Sequence, residues 1–454
     1  MTQGDFIAHT VSLSIVQNSA QSSQPKKPIR IIEAPIHTFE GRHDLLEKIH
    51  EKLQQCLARD HFMRRIVALT AMGGMGKTET ARKFAHQYRK VYENVVWIDS
   101  ETESSAKESF TNIAKTLHIP YSNDADGKEV AERVHEHISA HFLQSCLLIF
   151  DNANQLKSDE NVFGIWDYLP AKVTENLPLI LLTSQTTEWR RCQCEVIDVT
   201  ELNEEESMNF LISRFQLSSQ AVEDDSGLRD LLQSLNTKLN GYPLALGLAA
   251  ANIPFIPGQD TSEFLKKSLG KYIHSVDNNT ILKQRANTHL ATNYQKTLLK
   301  VWDIAMTNLQ RRENGREAKL LLRILAYFSQ KDLKYGSYDT VNKVYSKGRS
   351  EVFGITFPGA NDASFDDAFR ELQTLGLATA KDKNPDIVNK NIKVHRLIQI
   401  LARQDDPMNF GIQKILIYFM SLSGFKDYGS ETISEWEGYS PSKEGLPSWA
   451  VENE

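Results

Sequence analysis

The segment Ala71–Thr78, which reads AMGGMGKT, constrains the fold of this chain more than any other feature of its sequence. The apolar run Ile66–Thr70 precedes it, and a helical stripe that includes Ala81, Phe84 and Ala85 follows it. Glycines allow consecutive backbone N–H groups to turn inward around an anion, toward which the positive end of the following helix also points. This order of strand, loop and helix predicts a phosphate-binding loop within an α/β domain.

The residue types within this loop predict which groups hold a nucleotide and its metal ion. We expect Lys77 to bridge the β- and γ-phosphates of ATP and Thr78 to give its hydroxyl oxygen to Mg²⁺. The strict pattern has glycine at the first position, where this chain has Ala71, and alanine fits there if its φ is negative. A glycine-rich turn without a ligand is the alternative. The nucleotide contacts predicted for this part of the chain are Gly73, Gly74, Met75, Gly76, Lys77, Thr78 and Glu79.

An acidic residue at the end of a second strand is the candidate for the metal site and for catalysis. Asp151 follows the apolar run Leu147–Phe150, and ligands of open α/β sheets bind at the carboxyl ends of the strands. We expect Asp151 to hold Mg²⁺ through a water molecule; the alternative is an aspartate that only begins a turn. The next residue is Asn152, which cannot take up a proton as a carboxylate does. Asp151 therefore indicates nucleotide binding more than rapid turnover.

Short apolar runs alternate with helical stretches between residues 66 and 199. Strands that read as continuous apolar runs are buried on both faces, as in parallel sheets. The pattern predicts an α/β P-loop NTPase domain with a doubly wound parallel sheet, followed by an all-α helical domain and a winged-helix domain. Helical stretches followed by a hairpin from Leu377–Ala380 and Ile392–Val394 indicate the winged helix. The apolar runs are Ile66–Thr70, Val95–Ile98, Leu147–Phe150, Leu179–Leu182 and Val196–Val199.

Shifts in composition divide the chain into segments. They are a polar N-terminal tail (1–34), a P-loop nucleotide-binding domain (35–200), a helical domain (201–290), a winged-helix domain (291–405) and a C-terminal extension (406–454). A formal net charge of -6 over 454 residues argues against a purely electrostatic nucleic-acid binder. The sequence has neither a secretion signal nor a membrane-length apolar stretch, so we expect a cytoplasmic protein without membrane partners.

Several motifs in a fixed order resemble those of the NB-ARC branch of the STAND nucleotide switches, the central modules of many immune and signalling receptors. The resemblance runs from about residue 36 to residue 405. The Met-Gly-Gly opening of the P-loop is similar to the form in this family. The other matching segments are Phe39–Arg42, Leu148–Ala153, Leu181–Ser184, Gly241–Ala245 and Val394–Leu397.

The resemblance implies roles for residues outside the P-loop. The family's arginine that matches Arg42 lies near the adenine, and the proline that matches Pro243 contacts the base. The histidine that matches His395 reaches the β-phosphate of ADP. The residues alone favour a first-turn helix proline at Pro243 and a helix histidine beside an apolar stripe at His395, and the resemblance reverses both readings.

Thr183 and Ser184 belong to the segment that resembles the sensor strand of this family. They end an apolar run that we expect to lie beside the P-loop strand, where they would contact the γ-phosphate. The family usually has arginine at the next position, where this chain has Gln185. Because a neutral amide does not offset phosphate charge as a guanidinium does, Gln185 and Asn152 together predict slow or absent hydrolysis.

These observations favour a molecular switch that binds ADP or ATP with Mg²⁺ and acts in signalling or as an assembly scaffold. The resemblance implies protein partners or self-association in the ATP-bound form. Fewer than forty residues precede the nucleotide module and about fifty follow it, so we expect a near-minimal switch or a truncated receptor. The alternatives are an active Mg²⁺-dependent ATPase that drives remodelling and a DNA-binding regulator. Arg396 and Arg403 lie on the predicted winged helix without a basic cluster, so nucleic acid is not the expected partner.

Overall fold

A parallel sheet lies at the centre of the N-terminal half of the chain in the computed structural model. The strands are β1 (Arg30–Ile31), β2 (Ile66–Thr70), β3 (Asn94–Asp99), β4 (Cys146–Asp151), β5 (Leu179–Ser184) and β6 (Glu195–Asp198), in the order β1-β3-β4-β5-β2-β6. Each neighbouring pair is parallel, which confirms the predicted fold class of this domain. The structure describes residues 28–32, 34–36, 39–57, 65–122, 124–142, 146–157, 163–170, 178–186, 188–192, 194–278, 293–327, 365–381 and 391–404.

Helices cover both faces of the sheet, which explains why its strands read as unbroken apolar runs. Along β2, Val67 and Leu69 pack into one hydrophobic core, and Ile66 and Ala68 pack into the other. Alternate residues of a strand point to opposite faces, so a sheet covered on both sides needs apolar residues at every position. The covering helices are α1 (His43–Leu57), α2 (Lys77–Gln87), α3 (Glu103–Thr116) and α4 (Gly127–His141).

The edge strand β1 is a feature that the sequence reading missed. Arg30 and Ile31 pair with β3 although they fall in the segment predicted as a tail. A guanidinium nitrogen of Arg30 donates to the carbonyl oxygen of Ala85 at 2.8 Å, which ties this strand to α2. A strand of this length carries no readable periodicity. The short strand that the sequence suggests at Val11–Val16 and the extension 406–454 lie outside the described residues.

A helical region follows the sheet, as predicted. It contains α5 (Glu204–Arg214), α6 (Ser219–Asp224), α7 (Ser226–Leu239), α8 (Pro243–Asn252) and α9 (Ser262–Asp277). The segment Gln259–Thr288 is too polar for its contacts to be predicted from the sequence, and α9 lies within its described part. Leu265, Leu269 and Tyr272 supply a buried stripe at helical spacing, which packs on the rest of the region despite the polar surroundings.

The C-terminal region combines helices with a small hairpin. Its elements are α10 (Asn293–Gln310), α11 (Gly315–Tyr327), α12 (Phe365–Thr374), β7 (Thr379–Lys381), β8 (Asn391–Lys393) and α13 (Arg396–Gln404). β7 and β8 pair antiparallel, and the Gln399 amide of α13 donates to the Leu325 carbonyl of α11 at 3.0 Å. These elements follow the predicted order, and the assignment of a winged helix stays a prediction. Among the described helices, none is long and apolar enough to cross a membrane.

One hydrophobic core joins the three regions. It contains residues of α1 and α2, of the helical region and of the C-terminal elements. The Asn252 amide at the end of α8 donates to the Leu375 carbonyl at 3.3 Å. Gly376, two residues after the end of α12, has a φ of +67°. A Cβ added there would lie 3.0 Å from the Cβ atom of Ala251. The C-terminal region is therefore packed onto α8, and the predicted domain limits at 201 and 291 stay predictions.

Candidate functional site

The P-loop connects the end of β2 to the start of α2 with its backbone open toward an anion. Gly74 and Gly76 adopt φ values of +79° and +86°, in the region that side chains disfavour. No side-chain cap closes the first turn of α2, and no described atom lies within 4 Å of a Cβ built on Gly76. Ala71 does not appear among the described non-glycine residues with positive φ, so the alanine meets the condition set from the sequence. The helix start without a side-chain cap and the open space at Gly76 fit a phosphate.

Lys77 places its ammonium group in the centre of this loop. The Nζ atom donates to the carbonyl oxygens of Ala71 at 2.8 Å and Met72 at 2.9 Å. The side chain is 7% exposed, and burial lowers the pKa of Lys77 to about 8, although the Asp151 carboxylate opposes the shift. A bound phosphate would add a close counter-charge to this buried cation. The predicted contact of Lys77 with the β- and γ-phosphates stays a prediction.

A pH dependence follows from the lowered pKa of Lys77. Phosphate binds the protonated ammonium, which dominates below pH 8 and is lost above it. We expect ADP affinity to be level between pH 7 and 8 and then to fall about tenfold for each further pH unit. Calorimetric titration between pH 7 and 9.5, in buffers with different ionisation enthalpies, measures both the affinity and the proton taken up. A constant affinity up to pH 9.5 would contradict this assignment.

Asp151 forms an oxygen-rich cluster with two hydroxyl groups from other elements. The Thr78 hydroxyl donates to its Oδ1 atom at 2.8 Å, and the Thr183 hydroxyl donates to the same oxygen at 2.6 Å. Burial raises the pKa of Asp151, while the bond from Thr183 and the nearby charge of Arg82 oppose that rise. Carboxylate and hydroxyl oxygens are the ligands that Mg²⁺ prefers, so the donor set of Thr78 and Asp151 fits the predicted ion.

The strand β5 lies between the P-loop strand and the strand that ends in Asp151. This arrangement confirms the prediction that Thr183 and Ser184 end a strand beside the P-loop. Both residues are fully buried. The Ser184 hydroxyl donates to the Ala153 carbonyl at 2.7 Å, and its own carbonyl accepts the N–H of Ala71 at 3.2 Å. The two residues hold the strand ends together, and their contact with a γ-phosphate stays a prediction.

The two departures from a hydrolytic pattern sit at the same edge of the sheet. Asn152 has a φ of +62°, a conformation that asparagine tolerates well, and its N–H donates to the Thr183 hydroxyl at 3.0 Å. The Gln185 N–H donates to the Asn154 side chain at 2.8 Å. Arg190 pairs with Asp198 at the end of β6. Arg190, which follows Gln185 by five residues, is thereby held beside β6.

The described residues just before α1 (34–36 and 39–42), here called the entry segment, bring Arg42 to the P-loop, whereas its predicted place near the adenine stays a prediction. A guanidinium nitrogen of Arg42 donates to the Met75 carbonyl at 3.4 Å, and the residue is 6% exposed. Burial lowers the pKa of Arg42, and the charges of Glu206 and Glu201 oppose that shift. The Glu206 carboxylate also accepts the N–H of Arg42 at 2.6 Å, a contact that its capping position on α5 does not reveal in the sequence.

Glu79 was predicted as a nucleotide contact, but its carboxylate has protein partners. It accepts the N–H of Ile36 at 3.1 Å and forms an ion pair with Arg82. The Arg82 guanidinium in turn lies 5.1 Å from the centre of the Trp97 ring. Glu79 therefore fastens the entry segment to α2, and a contact with nucleotide stays a prediction.

Pro243 begins α8, as expected for a first-turn proline. The preceding Gly241 has a φ of +64°, and a Cβ there would lie 2.3 Å from the carbonyl oxygen of Leu202. The N–H of Leu202 donates to the Gly241 carbonyl at 3.0 Å, which fixes this turn against the start of α5. This geometry does not test the predicted contact of Pro243 with the base.

The N-terminal end of α13 lies against the P-loop. A Cβ added to Gly73 would lie 3.2 Å from a methyl carbon of Leu397. The pattern of a P-loop leaves this position free, and the approach of Leu397 gives a reason for glycine here. The contact brings residues more than 300 positions apart in the sequence to one site.

His395 sits beside this contact and carries its proton on a defined nitrogen. The Leu397 N–H donates to the Nδ1 atom of His395 at 3.2 Å, so a neutral ring holds its proton on Nε2. More than a third of the residue is exposed to solvent, although neighbouring protein atoms crowd the ring. Burial by that surrounding protein lowers the pKa of His395 to about 4, and the charge of Lys77 adds to the effect. The ring is therefore neutral near pH 7 and offers an N–H donor near the phosphate site.

The P-loop region is similar to a known family. A protein-family model described as an AAA domain matches residues 58–190. A nucleotide-binding leucine-rich repeat (NLR)-like protein from Hyaloscypha variabilis is 24% identical over 414 residues, which cover 84% of this chain. The match covers 37% of that relative, so the chain spans little more than a third of its length.

Two solved structures illustrate the structural similarity. A signal transduction ATPase with numerous domains (STAND), which has a tetratricopeptide repeat sensor and comes from Pyrococcus horikoshii, matches 90% of this chain and 52% of its own, with 15% identity and a TM-score of 0.45. A Walker-type ATPase of Pyrococcus abyssi matches 84% of this chain and 99% of its own, with 12% identity and a TM-score of 0.34.

The family model, the NLR-like relative and the parallel sheet agree with the prediction of a STAND- and NLR-like P-loop NTPase. They do not distinguish the NB-ARC branch, which stays a prediction.

Proposed function

We propose that this P-loop NTPase is an ADP/ATP-binding switch in which the bound nucleotide holds the C-terminal region against the P-loop. The observation that carries the proposal is the position of α13, whose residue Leu397 packs on Gly73 while His395 lies within the field of Lys77. A ligand shifts a conformational equilibrium only by its differential affinity for the two states. A nucleotide held by both regions binds the closed form more tightly and so stabilises it.

Different residues of the site would bind the phosphates and the Mg²⁺ of a nucleotide. The P-loop N–H groups and Lys77 would bind the phosphates, and Thr78 with Asp151 would hold Mg²⁺. The Nε2–H of His395 would donate to a phosphate oxygen from the side of the C-terminal region. Loss or change of that contact in the ATP-bound form would release α13 and expose the surface it covers. We propose that this surface then binds protein partners or a second copy of the chain in the cytoplasm.

The identity of the bound nucleotide is the decisive test of this function. We expect purified protein, denatured and separated by ion-exchange chromatography, to release ADP in a ratio approaching one per chain. Added ATP and Mg²⁺ should then increase the Stokes radius or the oligomeric mass measured by light scattering. Protein that releases no nucleotide and shows no affinity for ADP or ATP would overturn the proposal.

An active Mg²⁺-dependent ATPase is the second candidate, because Thr78 and Asp151 already share a hydrogen bond at the metal site. A substitution at Asn152 distinguishes the switch from the ATPase. Aspartate tolerates the same left-handed conformation as Asn152 and, unlike asparagine, can accept a proton. We expect slow phosphate release from the native chain and an increase of about tenfold or more in Asn152→Asp. A phosphate-release assay with and without Mg²⁺ measures both.

The hydrolysis experiment has a clear opposite outcome. Asn154→Asp is a matched control, because it adds the same charge three residues from Asp151 at the partner of Gln185. Rapid release by the native chain that Asp151→Ala abolishes would favour the ATPase over the slow switch. An equal gain in both variants would assign the effect to charge and not to a base at position 152.

A further inference from the structure

Glu206 lies at the third position of α5, where its carboxylate bonds to two separate parts of the chain. Its Oε2 atom accepts the N–H of Asn203 at 3.0 Å, and the Asn203 side chain accepts the N–H of Glu206 at 2.8 Å. This reciprocal pair is a capping box, which uses one carboxylate oxygen. The other oxygen, Oε1, accepts the N–H of Arg42 at 2.6 Å. The helical region is thereby bonded to the entry segment, at the residue whose side chain reaches the P-loop.

The entry segment has an unusual backbone at the point where Glu206 binds it. Gly41 and Arg42 have φ values of +70° and +64°. A non-glycine residue rarely adopts this region, and such a conformation persists only where its surroundings fix it. A Cβ on Gly41 would lie 2.8 Å from the Cγ atom of Glu206, so glycine is needed for the carboxylate to approach. The bond from Glu206 therefore fixes the backbone from which the Arg42 side chain extends.

The guanidinium of Arg42 holds one particular peptide unit of the P-loop. It is buried and donates to the Met75 carbonyl at 3.4 Å. In a trans peptide the C=O and the following N–H point in opposite directions, and no described peptide bond is cis. The direction of the Met75 carbonyl therefore fixes the direction of the Gly76 N–H, at the uncapped start of α2.

This peptide unit is one that the chain could turn over at low cost. A reversal changes ψ of Met75 and φ of Gly76, and glycine adopts positive and negative φ with similar ease. Gly76 has a φ of +86°, and no described atom lies within 4 Å of a Cβ built on it. After a reversal the Gly76 N–H would point the opposite way, so an anion in the loop would lose one donor. Backbone preference does not select the present orientation, whereas the bond from Arg42 favours it.

We propose that Glu206 is a positioning residue that, through Arg42, holds the Met75–Gly76 peptide in the orientation that presents the Gly76 N–H to a phosphate. The helical region thereby controls how tightly the P-loop binds an anion. This inference rests on the proposed function, because it assumes that the P-loop holds the phosphates of a nucleotide. A helical region that separates from the entry segment would weaken phosphate binding, and a bound phosphate would in turn strengthen the contact with Glu206.

Affinity for inorganic pyrophosphate tests this role, because the probe has neither base nor sugar. We expect Glu206→Ala to lower that affinity about tenfold, since the loss of a charge-assisted hydrogen bond releases Arg42. Removal of a negative charge near an anion site would by itself raise the affinity, so the expected fall has the opposite sign to a simple charge effect. Calorimetric titration of the full chain, well below its melting temperature, measures the affinity.

Arg42→Asn completes a double-mutant cycle, because asparagine tolerates the left-handed backbone but lacks the guanidinium. It should lower pyrophosphate affinity by itself, and Glu206→Ala should cause no further fall in this background. If Glu206→Ala does not fold, Glu206→Gln takes its place, because one acceptor oxygen cannot serve both N–H groups. Its expected fall is about threefold or more, since a neutral oxygen is the weaker acceptor.

Asn203→Ala is the matched control, since it removes the helix cap but leaves the bond between Glu206 and Arg42 in place. It should lower the melting temperature while pyrophosphate affinity stays within about twofold of the native value. Unchanged or increased affinity in Glu206→Ala, or a fall of the same size in the Arg42→Asn background, would overturn the inference. Native protein that binds neither pyrophosphate nor ADP would instead overturn the proposed function, so the two failures are distinguishable.

Discussion

Lys77→Ala is expected to lower ADP affinity at least about 100-fold. The substitution removes a buried cation from a site where phosphate oxygens supply its counter-charge, and charge-assisted hydrogen bonds of this kind contribute about 3 kcal/mol. In the structure the Nζ atom donates to the carbonyl oxygens of Ala71 and Met72. The ammonium is thus already in place before a ligand binds. Titration of a fluorescent ADP analogue, followed by displacement with unlabelled ADP, measures the loss.

The control for Lys77 is Lys90→Ala, which removes an equal charge from an exposed position after the end of α2. We expect its ADP affinity to stay within about twofold of the native value. The folding of both variants is checked by circular dichroism and thermal unfolding. A folded Lys77→Ala protein with native ADP affinity would refute the P-loop assignment and the switch together.

Leu397→Ala is expected to accelerate ADP release about 30-fold without preventing nucleotide binding. The leucine side chain packs on the P-loop at Gly73, and loss of such a contact costs about 2 kcal/mol. That free energy is lost only in the closed form, because the open form separates the two groups. Stopped-flow measurement of the release of a fluorescent ADP analogue gives the rate directly.

A second leucine on the same helix provides the control for this effect. Leu401 is buried one turn further along α13, in the core stripe of that helix. Leu401→Ala should lower the melting temperature while ADP release stays within about threefold of the native rate. Equal acceleration in both variants would mean that general loosening of α13 controls release. The Gly73–Leu397 contact would then not be the link between nucleotide and C-terminal region.

The sequence determined those parts of the site that depend on residues adjacent to one another along the chain. Gly76, Lys77 and Thr78 form one turn, and their chemistry follows from residue type and the strand and helix on either side. Asp151 was found in the same way, because a strand that is buried on both faces and ends in a carboxylate reads as a local pattern. Even Ala71, the departure from the strict pattern, needed only a φ outside the left-handed region.

The resemblance to a family added distant residues that spacing does not reveal. It brought Arg42 and His395 into the predicted site, and the structure places the first against Met75 and the second within the field of Lys77. The proton position of His395 came only from the structure, through the Leu397 N–H that its Nδ1 atom accepts. A sequence shows that a histidine is present but not which nitrogen is the donor.

Only the tertiary structure decided which residues from separate regions meet. Gly73 is close to Leu397, and Gly41 is close to Glu206, since each glycine leaves room for a side chain that comes from a distant helix. Hydrogen bonds and packing between distant segments have no sequence period, because their partners are set by how helices and strands assemble. The sequence thus specified a loop that binds phosphate. The assembled fold decided that the helical and C-terminal regions both touch that loop and its entry segment.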